Sequence, residues 1–231
     1  MNAEERAVTM MRASYHEELE SVLEQLHEMS HLVEIAMVEA TQALLSADLE
    51  RAETVISDDA KLDTMHEELE YKCLSLLMLQ APVAGELRTI VSAIRVVFEL
   101  ARMGDLAAHI AKIARLRFPS HAVIGDLEPN FLRMSEVCVK MIRVASASLR
   151  DHDATEALQL AAIDAEVDDL RREHFTTVLD DSWTGTTAQA VDVALLGRYY
   201  ERFADHAVAV ARRVIYLVTG STPEGHEWPN A

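Results

Sequence analysis

The sequence is poor in residues that break helices or build strands. It has seven glycines and five prolines in 231 residues, with five Phe, five Tyr and two Trp. Few breakers mean long uninterrupted elements, and the scarcity of aromatic and β-branched clusters argues against a sheet. The two cysteines, Cys73 and Cys138, form no Cys-x-x-Cys motif, which excludes the zinc and redox chemistry such a motif carries. Both fall inside helical patterns and read as small core residues in a reducing compartment. No apolar run reaches the roughly 18 residues of a membrane-spanning helix. The opening "MNAEERAVTM" lacks the apolar segment of a secretory signal. A cytosolic protein is expected. Basic residues are outnumbered, 21 against 39 acidic ones, for a formal net charge of −18. Both halves share the excess, so nucleic acid is a poor partner and divalent cations or a basic protein surface are better ones.

What is abundant is Ala, Leu, Val, Met, Glu and Arg, mostly good helix formers. The expected fold is all-α, with six long helices. The first runs from about Ala3 to Leu45, with Leu19, Val22, Leu26, Met29, Val33 and Met37 at three-four spacing. Ser46 or Asp48 caps a second helix reaching about Gln80. Pro82 suits the first turn of a third, ending near Phe118. "FPSHAVIGDLEPN" is the clear connection. A fourth helix spans about Glu128 to Arg150. "DATE" reads as a capping box, Asp153 with Glu156, opening a fifth that ends near Asp181. Thr187 caps the sixth, and Gly220 ends it.

Three helices, a linker and three more suggest a duplication. "DDAKLD" at 58–63 matches "IDAEVD" at 163–168, 105 residues on. "ELARMGDLAAHIAK" matches the segment beginning "YYERFADHAVAVARRV", with Arg102 opposite Arg202 and Asp105 opposite Asp205, 100 residues on. The expected organisation is two three-helix bundles, 1–120 and 121–220, with a flexible tail over 221–231.

Acidic residues recur at matching places. The second helix of each half carries an Asp-x-x-x-Asp pair, Asp59 with Asp63 and Asp164 with Asp168. The third carries Asp105 in the first half, and Glu201 with Asp205 in the second. Ala101 stands where the first-half Glu is expected. Carboxylates four apart share a helix face and repel. Two such helices side by side can gather up to four, an oxygen-rich set suited to Mg, Mn, Fe or Zn. The set is fuller in the second half; His109 or His66 is the candidate substitute ligand in the first. A rival reading comes from Glu24-x-x-His27 and Glu28-x-x-His31, a di-iron signature, but both copies lie on one helix. No phosphate loop or nucleophile elbow is present, and no enzyme is expected.

These segments, with "QAPVAGELRTI", resemble the PhoU family of bacterial phosphate-transport accessory and regulatory proteins, over nearly the whole chain. "ALLGRYYERFADHA" is similar in style to actinobacterial members. The resemblance implies two similar three-helix bundles and multinuclear metal sites, with the ligands falling on Asp59, Asp63, Asp105, Asp164, Asp168, Glu201 and Asp205. It implies a cytosolic negative regulator of the phosphate-starvation response and of phosphate uptake. Such a protein couples the phosphate ABC transporter, through its ATPase subunit, to a sensor histidine kinase. It also implies a homodimer held at the membrane only through its partners. The alternatives are a metal-dependent carboxylate-cluster enzyme, hydrolytic or di-iron, and a metal-free helical scaffold.

Overall fold

The computed structural model describes residues 3–80 and 82–221. Six helices make up its order: α1 (Ala3–Ser46), α2 (Leu49–Gln80), α3 (Ala84–Arg117), α4 (Glu128–Asp151), α5 (Ala154–Leu179) and α6 (Thr187–Thr219), with a 3₁₀ turn over Gly125–Leu127 ahead of α4. No strand occurs among the described residues. Of the expected tail, everything from residue 222 lies outside the described residues.

The helices are long because apolar residues recur at three-four spacing without interruption. On α1, Val22, Leu26, Met29, Val33, Met37 and Ala40 are all fully buried. Each half packs its three helices on one another, and α1 meets α4 while α3 meets α6 across the halves. One continuous core results. Tyr200, fully buried on α6, shares a hydrogen bond of 2.7 Å with Thr41 of α1. The Cys138 thiol donates to the Tyr200 carbonyl at 3.5 Å. Both cysteines are buried and free, and burial pushes the Cys73 thiol up to about 11.

The duplication extends to the turns. Ala47 and His152, 105 residues apart, both take left-handed conformations, with φ of 50° and 52°. Each precedes an aspartate that caps the next helix. Asp48 accepts from the Arg51 amide at 3.0 Å, and Asp153 from the Thr155 amide at 2.7 Å. Three helix starts differ from the sequence reading: at α5 the Asp153 amide donates to the Ser148 carbonyl at 3.0 Å, so Glu156 closes no capping box there. Pro82 lies before α3, whose N-cap is Val83. The cap of α6 is Thr186 rather than Thr187, because a reciprocal box with Gln189 satisfies two orphan donors there.

Candidate metal-binding faces

Each acidic group sits where the second helix of a half faces the third. In the first half, Gly104 lets α3 close on α2: a Cβ there would lie 2.5 Å from Leu62 Cδ1 and 3.4 Å from Asp59 Oδ1. Asp59 is half-buried beside this contact, on the rim of a cavity of about 90 Å³. Burial, then the charges of Asp105 and Asp63, push its carboxyl upward, while Lys112 and His109 pull the other way. Asp105 is paired with Arg102 at 2.8 Å.

The second half repeats the arrangement more deeply. Asp164 is buried on α5. Burial, then Asp205, Asp168 and Glu201, push its carboxyl up to about 6, with Arg212 opposing. Asp205, at the solvent edge of α6, is also raised, by desolvation and then by Glu201. Lys112 and Arg212 occupy matching positions, each seven residues beyond its helix's aspartate. Both clusters therefore have a basic group set nearby in the same way.

Glu201 differs from the aspartates. It accepts from Arg171 at 3.0 Å and from Arg198, and its side chain is 13 % exposed. The first half shows what happens without it. Opposite Glu201, Arg171 and Arg198 stand Ala101, His66 and Phe98. There the His66 ring meets Phe98 edge-on, with centroids 6.3 Å apart. The glutamate and two arginines of one copy are thus an alanine, a histidine and a phenylalanine in the other. The two arginines belong with the glutamate, and they are the counter-charge for its repulsion with Asp205.

Of the predicted ligands, Asp59, Asp63 and Asp105 are brought together, as are Asp164, Asp168 and Asp205. Glu201 joins the second group but is held by arginines. Among the described residues, no three His, Cys, Asp or Glu side chains converge closely enough to hold an ion as they stand. The donor set itself fits hard cations, being all oxygen and drawn from facing helices. His109 lies near Asp59, but its Nδ1 is bonded to the Asp105 carbonyl at 2.6 Å and its ring tilts against Tyr199. His27 of the Glu-x-x-His pattern turns instead to Ser146 of α4, at 2.7 Å.

Three further polar features carried no signal in a single helix's pattern. Glu99 and His206 pair across α3 and α6 at 2.6 Å. Arg117 grips the buried Asp192 through Nε at 2.5 Å and a terminal nitrogen at 3.1 Å. His174, 1 % exposed, stacks on Phe131 with centroids 4.2 Å apart. Among the described residues neither of its ring nitrogens has a partner, and burial pushes the imidazole down to about 4.

The fold and these faces define a duplicated helical-bundle protein with one acidic cluster per copy. A family model described as the PhoU domain matches twice, over residues 26–114 and 131–214. The chain belongs to the PhoU family. It is 51 % identical, over 92 % of its length and the whole of the relative, to the phosphate-specific transport system accessory protein PhoU homolog 2 of Mycobacterium tuberculosis. It is 48 % identical, over 96 % of its length and the whole of the relative, to PhoU homolog 1 of Mycobacterium leprae. The crystal structure of PhoU from Pseudomonas aeruginosa superposes with a TM-score of 0.79 at 29 % identity, covering 90 % of this chain and all of that one. PhoU from Streptococcus pneumoniae, at 24 % identity and a TM-score of 0.83 over 91 % of this chain and 99 % of that one, shares the fold. No helix among the described residues is long and apolar enough to cross a membrane.

Proposed function

We propose that this protein is a non-enzymatic accessory regulator of phosphate transport. It restrains phosphate uptake and the phosphate-starvation response from the cytosolic side, as a homodimer that couples the transporter's ATPase subunit to a sensor histidine kinase. The observation that carries this reading is full-length similarity to phosphate-specific transport accessory proteins, at 51 % identity to one of them. The test is genetic. Deleting the gene is expected to raise alkaline phosphatase and phosphate uptake in phosphate-rich medium. Unchanged levels of both would sink the reading.

The proposal includes cation binding on the two acidic faces. Asp59, Asp63 and Asp105 would hold one site; Asp164, Asp168 and Asp205 the other. Glu201 would join only by releasing Arg171 and Arg198. A bound Mg, Mn, Fe or Zn ion would supply positive charge that ties the second helix of each half to the third. The support is the recurrence of three aspartates at matching positions with their mutual repulsion. Metal analysis of untagged protein tests it. Asp164→Ala with Asp205→Ala is expected to remove the second site's metal, and Glu201→Ala to remove far less. A metal-free wild type would instead favour the scaffold reading, in which Arg102, Lys112, Arg171, Arg198 and Arg212 supply the clusters' counter-charge.

A further inference from the structure

A cleft of about 220 Å³ opens between α1 and α4, away from both acidic faces. In a chain with nearly twice as many acids as bases, its walls are basic and hydroxylic: His27, Ser30 and His31 from α1, and Arg143, Ser146 and Arg150 from α4. Glu34 is the acid on the lining, and it anchors Arg143 at 2.6 Å. Asp151 anchors Arg150 at 3.0 Å. Ser30 and Ser146 are buried at the floor, the latter bonded to His27.

The fold does not demand these bases. The internal repeat provides the same helix pair at an offset of 105 residues, since α1 ends at Ser46 and α4 at Asp151. At the matching positions His27 becomes Leu132, Arg143 becomes Val38 and Arg150 becomes Leu45. His31 alone among the four bases has a charged residue, Glu136, opposite it; at the other three positions apolar residues satisfy the helix pair at one end and basic ones replace them at the other. Each guanidinium has donors beyond those its carboxylate takes. The carboxylates fix the arginines in place, as partners of a binding group do.

We propose that this cleft binds a small tetrahedral oxyanion, with inorganic phosphate as the ligand, between Arg143 and Arg150 and over the Ser146–His27 pair. The site is independent of the cation reading, and so is its test. Full-length protein stripped of metal by chelator is titrated with inorganic phosphate by calorimetry, with chloride and sulfate as parallel arms. Saturable binding with a Kd of about 1 mM or tighter is expected. Arg143→Gln and Arg150→Gln, both at exposed positions, should each weaken it at least tenfold. Lys140→Gln, on α4 but off the cleft, should leave it within twofold. Sulfate binding at the same residues would support an oxyanion site of broader selectivity. No saturable binding, a response to chloride equal to that for phosphate, or equal loss in Lys140→Gln would overturn it. None of these outcomes bears on the genetic test above.

Discussion

At the scale of the residue, the informative positions are those whose charge is out of place. Asp164 ionises inside the protein near pH 6, while in the unfolded chain it ionises near 4. The unfolded chain therefore binds fewer protons between those values, and stability contributed by this site falls as pH rises through the window. Asp164→Asn in metal-free protein is expected to gain about 1–3 kcal/mol at pH 7 and nothing at pH 4, read by urea denaturation. His174 has the opposite sign. Its imidazole is held neutral down to about pH 4, so its contribution is lost on acidification from about 6.5. The two oppose each other across the same range. Asp164→Asn should accordingly expose a steeper acid loss than wild type shows. An unchanged profile would mean that Asp164 is not as buried in solution as its packing indicates.

At the scale of the element, the repeated turns and the close helix crossing are the sensitive places. Ala47 and His152 hold left-handed backbone without being glycine, which costs roughly 1–2 kcal/mol for an L-residue. Glycine avoids that strain but has more freedom to lose on folding. Ala47→Gly is expected to stabilise by about 0.5–1 kcal/mol, measured as a raised Tm. At the α2–α3 crossing, a Cβ on residue 104 meets the end of the Leu62 side chain, which can turn aside. Gly104→Ala should then be nearly neutral, its better helix propensity offsetting the repacking. Gly104→Val adds branches against Asp59 and Leu62, and should cost about 1–3 kcal/mol and lower cation affinity at the first face. Equal Tm values for the two variants would show that the helices are not in close contact.

At the scale of the whole molecule, a net charge of −18 sets the behaviour. Self-repulsion of this size destabilises the compact state, so specific cations should stabilise it beyond the effect of general screening. Millimolar Mn or Zn is expected to raise Tm above the value in 0.1 M sodium chloride, by the equivalent of about 2.7 kcal/mol at a hundredfold excess over Kd. In Asp164→Ala with Asp205→Ala the increment should shrink. Partner binding belongs to this scale too. Tyr71, Leu74 and Met78 form an exposed apolar stripe on α2, at 73, 45 and 73 % exposure, a surface type that marks protein contacts.

The sequence alone determined the six helices, the duplication and the six aspartates, because apolar spacing, caps and repeated motifs are local patterns along one chain. It placed the α6 cap one residue late and Pro82 inside a helix it precedes, since choices between adjacent turn residues depend on which hydrogen bonds close. Only the tertiary structure decided what each charge faces. Arg171 lies 30 residues from Glu201, Glu99 lies 107 from His206 and His27 lies 119 from Ser146. Their pairing follows from how helices cross, and periodicity along a helix holds no record of that. The exchange of Glu201, Arg171 and Arg198 for Ala101, His66 and Phe98 was written in both copies all along. It acquired meaning once the packing put the three side chains of each set together.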